Sequence, residues 1–155
     1  MIALVFYDIL KFAHVALAVA WIGGGLMMSI LAEFAIRSKI PGRTAEFARE
    51  VGLIGQRFFT PISLMVLGLG FWLVHKGHWG YHTWIIVSLV GYGLSTLIGA
   101  GFIGPQSAKL AKVIATEGPD ATVVKDRIRM IVTVARVDLV ILFTVVFFMV
   151  TKIGQ

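Results

Sequence analysis

Four long apolar segments constrain this 155-residue chain more than any other feature. They are residues 12–32, 58–75, 84–104 and 131–151, and each supplies close to the roughly 20 apolar residues that a helix needs to cross a hydrocarbon core about 30 Å thick. The chain is 58% hydrophobic and only 14% charged, a balance typical of a protein that lives in lipid. The sequence therefore predicts an all-α fold, an integral membrane four-helix bundle that forms one domain over residues 1–155.

The basic residues indicate which way this bundle faces. Five lie between the first two segments and five between the last two: Arg37, Lys39, Arg43, Arg49, Arg57, and Lys109, Lys112, Lys125, Arg127, Arg129. The middle turn carries only Lys76, and the chain ends carry Lys11 and Lys152. Because cytoplasmic loops are enriched in lysine and arginine, we expect both termini outside (N-out/C-out) in a multi-pass protein of a bacterial inner membrane. The net charge of +6 is then a topology signal, and no basic module indicates nucleic-acid binding.

Each predicted cytoplasmic loop also has the periodicity of a short amphipathic helix. The apolar stripe of the first loop is Phe47, Val51, Ile54 and Phe58, and that of the second is Leu110, Val113 and Ile114. We expect these helices to rest on anionic lipid headgroups, and docking of a soluble partner is the alternative. Asp120 is the predicted N-cap of a helix that runs on into the fourth segment.

All four histidines of the chain fall at the predicted outer face: His14, His75, His78 and His82. His14 lies about one turn inside the first segment and His75 closes the second, so imidazoles from two helices are expected at similar depth. A b-type haem can take its two axial ligands in this way. Histidines at an interface can also be ordinary members of an aromatic belt, formed here by Trp72, Trp79, Tyr81 and Trp84.

The stripe that follows His14 suits a flat cofactor. Ala18, Trp21 and Gly25 come four, seven and eleven residues later, on one face of the helix. Small residues there would admit a macrocycle, and Trp21 could pack against its face. Lys11 and Lys76 lie at the same boundary, where haem propionates need cationic partners. The predicted haem b site is thus His14, His75, Trp21, Gly25, Lys11 and Lys76, and the predicted role is electron transfer.

Copper is the alternative ligand for the same end of the bundle. His75, His78 and His82 are spaced by three and four residues, and with His14 they form the predicted metal site. Met27 and Met28 offer thioethers but lie deeper, toward the cytoplasm. The chain has no cysteine, which excludes disulfides, thiolate metal sites and cysteine nucleophiles.

Two charged residues lie inside the fourth segment, where they are predicted to have a structural polar role. We expect Arg136 to snorkel to the cytoplasmic interface. Asp138 is expected to face the bundle interior, with Arg57 or Thr133 among its candidate partners, as a polar clamp in preference to a proton relay.

Small residues recur every four positions in two segments: Gly91, Ser95, Gly99, and Ala16, Ala20, Gly24. Such stripes let helix backbones approach closely, so we expect them to pack helices within the bundle. The alternative is a homo-oligomer, or a non-catalytic subunit whose glycine faces pack against a larger membrane complex.

The stretch from His14 to Gly25, HVALAVAWIGGG, resembles the first helix of a group of small polytopic membrane proteins. The group includes CopD-type copper-resistance proteins, HemJ-type protoporphyrinogen oxidases and a four-helix family of unknown function. The last of these is the most similar in length and layout, including Arg136 and Asp138 in the final segment. The matching histidine of HemJ-type proteins is associated with haem b, and the resemblance implies that role for His14.

Overall fold

A computed structural model of the protein describes residues 2–80, 82–119 and 121–153, with side chains from Val5 onward. It contains six α-helices in chain order: α1 (Ile2–Arg37), α2 (Arg43–Ile54), α3 (Thr60–Lys76), α4 (Thr83–Thr96), α5 (Gly104–Glu117) and α6 (Thr122–Thr151). Tyr81 and Asp120, predicted as a belt residue and an N-cap, lie outside the described residues.

Two π-helical turns join these elements into longer rods. Gly55–Phe59 connects α2 to α3, and Leu97–Ile103 connects α4 to α5. A proline follows each turn, Pro61 and Pro105, in the first turn of the next α-helix. Proline lacks an N–H and crowds the carbonyl four residues earlier, so a widened turn lets the helix continue through it.

The described chain therefore has four helices long and apolar enough to cross a membrane: Val5–Arg37, Arg43–Lys76, Thr83–Glu117 and Thr122–Thr151. Each contains one predicted apolar segment or nearly all of it, which confirms the four-helix membrane bundle. At 1.5 Å per residue, rods of 30 to 35 residues are roughly 45–53 Å long, well beyond a hydrocarbon core of about 30 Å. The surplus lies mainly at the end with the two basic loops, which we call the loop end.

The amphipathic helices at the loop end are confirmed, and much of their apolar stripes packs against the rest of the bundle. Phe47 of α2 and Leu110 of α5 are buried in one core cluster with residues of α1 and α6 such as Ala32 and Val124. The Thr44 hydroxyl also donates a hydrogen bond to the Ala35 carbonyl, which ties α2 to α1. Val51, Val113 and Ile114 pack against the same cluster, because α2 and α5 continue the spanning rods and can cover each other, whereas Phe58 of the first stripe remains exposed.

Small residues determine how closely the helices approach one another in the centre of the bundle. A Cβ atom at Gly91 of α4 would collide with Val145 of α6, and one at Gly25 of α1 would lie 3.2 Å from Leu139. The predicted packing role is thus seen at Gly91 and at buried Ser95. It is wrong for Ala16 and Ala20, which are exposed on the outside of the bundle.

Candidate functional site

A cavity of about 530 Å³ lies between α1, α3, α4 and α6, at the end of the bundle that carries both chain termini. Its volume falls within the roughly 300–1,000 Å³ typical of sites for small molecules and cofactors. The walls are mainly apolar and aromatic. Among the predicted site residues, those that line the cavity are His14, Trp21, His75 and His78.

His14 is the most enclosed of these histidines, with 9% of its surface exposed. Its imidazole leans on α3, where it makes a hydrogen bond with the backbone of Val66. The Nδ1 atom is buried and has no hydrogen-bond partner of good geometry among the described residues. A Cβ atom at Gly70 would lie 3.2 Å from Cε1 of His14, so the glycine makes room for the ring. The imidazole is thus held against α3 by Val66 and Gly70.

His75 and His78 form part of the wall nearest the membrane surface. His75 is exposed near the end of α3, one residue before its last residue, Lys76. His78 follows in the turn to α4 and has a positive φ of 50°, which is uncommon for a residue with a side chain. The described structure therefore brings imidazoles from α1, from α3 and from the following turn to one cavity.

Aromatic side chains from α4 complete the walls, and the sequence interpretation did not include them in the site. Tyr92 packs edge-on against Trp21 with ring centroids 5.9 Å apart, and its hydroxyl donates to the Ser63 carbonyl at 3.3 Å. Trp84 also lines the cavity, and its buried Nε1–H has no partner among the described residues. The signal was the spacing of Ile85, Ser88 and Tyr92, which places them on one helical face.

Trp79 covers the end of the cavity nearest the turn between α3 and α4. Its Nε1–H donates to the Tyr7 hydroxyl at 3.4 Å, its ring lies 5.7 Å from that of Trp84, and the Lys152 ammonium lies 4.4 Å from its centroid. Gly77 permits this arrangement, because a Cβ atom there would collide with the Trp79 indole. The turn between α3 and α4 is thus held by α1 and by the end of α6.

Four of the predicted site residues do not line the cavity. Gly25 packs against Leu139, and Lys11 and Lys76 are exposed at the same end of the bundle. His82 precedes α4, where its carbonyl accepts hydrogen bonds from the Ile85 and Ile86 amides. Within the described ranges, no three histidine, aspartate or glutamate side chains lie close enough together to hold a metal ion.

Of the two charged residues of α6, Arg136 has a partner that was not predicted, and Asp138 has a different partner from those expected. Arg136 donates to Glu33 of α1 at 3.2 Å, so it is held by a carboxylate that also pairs with Arg37 at 2.7 Å. Asp138 faces the Ser95 hydroxyl of α4, and neither Arg57 nor Thr133 is its partner. Sequence spacing alone could not identify Glu33 or Ser95, because both contacts join helices far apart in the chain.

Residues 8–153 match a family described as "Predicted integral membrane protein (DUF2269)". No curated protein and no solved structure matches the chain significantly. The family description agrees with a multi-pass protein embedded in a lipid bilayer.

Proposed function

We propose that this chain, which belongs to the DUF2269 family of predicted integral membrane proteins, binds haem b in the cavity and serves in electron transfer. The observation that carries the proposal is the meeting of His14 and His75, from two different helices, in the walls of one cavity of about 530 Å³. The resemblance of the first helix to HemJ-type proteins, in which the matching histidine is associated with haem b, supports the same ligand.

The residues of the cavity fit such a group. The His14 ring is buried, its Nδ1 atom has no hydrogen-bond partner among the described residues, and the backbone of Val66 orients the ring, as backbone groups do for ligating histidines. His75 is the leading candidate for the second residue that would ligate the haem iron. Trp21, Tyr92 and the aliphatic walls would bury the macrocycle and keep water away, which are the main means by which a protein tunes a haem.

Charged groups suited to haem propionates lie at the end of the bundle that carries the chain termini, which is the predicted outer end. Lys11 and Lys76 are exposed there, and Lys152 stacks on Trp79. Bound haem would supply a one-electron redox centre near the outer face of a bacterial inner membrane. The role of the chain is to bind and orient the group and to exclude water from it.

The test is the visible spectrum of the protein purified in detergent with haem supplied during expression. We expect a Soret band in the wild type, loss of most of it in His14→Ala, and a shifted or weaker band in His75→Ala. His82→Ala is the matched control, because it removes a histidine from the same end of the bundle that does not line the cavity. A wild-type protein without a Soret band, or an unchanged spectrum in His14→Ala, would refute the proposal.

Copper is a second candidate for the same cavity. The thioether of Met149 lines it together with His14, His75 and His78, and thioether and imidazole ligands suit copper. Met28, in contrast, lines a groove against α2 at the loop end and cannot contribute. Stoichiometric copper in a sample that lacks a Soret band, lost in His14→Ala and in Met149→Leu, would favour this function. A role as a subunit of a larger complex predicts neither ligand and a stable partner in mild detergent.

A further inference from the structure

Asp138 lies near the middle of α6, about two turns inside the loop-end boundary of the apolar segment 131–151. It is half-buried, and the Ser95 hydroxyl of α4 faces it. Ser95 is 3% exposed, its hydroxyl lies within hydrogen-bonding reach of the Asp138 carboxyl, and Oδ1 of that carboxyl is buried. One neutral hydroxyl does not compensate the charge of a buried carboxylate, so this carboxyl calls for a further ligand such as a proton.

No cation in this part of the bundle compensates the Asp138 carboxyl. Residues 15–32 of α1 carry no titratable side chain, and residues 83–103 of α4 and its π-helical turn carry only Tyr92. Arg136 is two residues from Asp138, about 200° around the helix, and is bound to Glu33. The core cluster that α2 and α5 share with α6 extends on α6 from Val124 to Val132, roughly 9 Å or more from Asp138 toward the loop end. A carboxylate without a counter-ion is expensive inside a membrane, whereas a carboxyl that carries a proton is not.

Asp138 and Ser95 lie next to the cavity, on the side toward the loop end. On α6, Asp138 shares a helical stripe with the cavity residues Leu142, Val145 and Met149. On α4, Ser95 is one turn from Tyr92 and two turns from Ser88, both in the cavity wall. On these two helices, Ser95 and Asp138 are thus the first polar side chains beyond the cavity toward the loop end.

We propose that Asp138 and Ser95 form a proton-exchange site inside the membrane, beneath the cavity. The carboxyl gains a proton to become the neutral acid and loses it to become the carboxylate, and the Ser95 hydroxyl donates a hydrogen bond to the charged form. The site is distinct from the cavity, and its existence does not depend on whether haem is bound there. A purely structural clamp would instead keep the carboxyl in one protonation state, so its reactivity would not depend on pH.

The test uses dicyclohexylcarbodiimide, an apolar reagent that reacts with protonated carboxyl groups inside membranes. We expect the wild-type protein in liposomes to be modified at Asp138 at neutral pH, as located by mass spectrometry of its peptides. The rate should fall as the pH rises, approaching about tenfold per pH unit once the carboxyl is mostly ionised. A water-soluble carbodiimide should leave Asp138 unmodified.

Variants and ions separate the possible outcomes. Asp138→Asn should abolish the modification, Ser95→Ala should change its pH dependence, and Glu33→Gln should leave it unaltered. Because the main measurement is made on the wild type, a variant that fails to fold does not affect it. Lack of modification at Asp138, or a rate independent of pH, would overturn the proposal. Protection by sodium at constant pH would overturn the assignment to a proton in favour of a cation.

Discussion

The sequence is enough to identify His14 as a functional candidate, but the orientation of its ring depends on residues of another helix. Its place within an apolar helix marked it as a functional candidate, because ionisable groups are costly in lipid. Its orientation, however, depends on Val66 and Gly70 of α3, more than 50 residues away. The sequence identifies the residue, and only the fold shows that its ring is buried against α3 with an unpaired Nδ1 atom.

Gly70→Ala tests this arrangement at the scale of one residue. The added methyl group would lie 3.2 Å from Cε1 of His14, so the ring must move by a few tenths of an ångström. Under the haem proposal, we expect a shifted Soret band and a lower haem content. Gly68→Ala is the matched control, since a Cβ atom at Gly68 meets nothing within 4 Å. Identical spectra for the two variants would contradict the assigned contact.

The periodicity of the apolar residues predicted helices α2 and α5, but it did not predict which surfaces these helices pack against. The stripes of α2 and α5 were visible in the sequence, and they were assigned to headgroups because nothing in a short amphipathic pattern distinguishes lipid from protein as its cover. The fold resolves the ambiguity by extending the spanning rods, so that Phe47 and Leu110 enter one core.

Close contact between α4 and α6 gives a prediction at this scale. Gly91→Ala would drive a methyl group into Val145, and overpacking of this kind costs about 1–3 kcal/mol. Gly93→Ala, where a Cβ atom meets nothing within 4 Å, should be neutral or stabilising by up to about 1 kcal/mol, because alanine favours helix. Thermal unfolding in detergent measures the difference. Equal melting temperatures for both variants would show that the helices are not in close contact there.

At the scale of the whole molecule, the orientation of the bundle in the membrane decides which side of the membrane the cavity faces. The chain contains no cysteine, so single cysteines can report it without a background. We expect Thr83→Cys, at the exposed start of α4, to react with an impermeant maleimide in intact spheroplasts. Ala115→Cys, exposed in α5, should react only after lysis. The reverse pattern would place the cavity at the cytoplasmic face.

The sequence by itself determined the number of spans, the predicted direction of insertion and the clustering of four histidines at one end. These properties follow from hydropathy and charge, which act through the solvent and need no knowledge of neighbours. Only the tertiary structure decided that His14, His75 and His78 share a cavity while His82 does not, that Glu33 holds Arg136, and that Asp138 faces Ser95. Contacts between helices depend on rotation about each helix axis, and that rotation is set by how all four rods pack together.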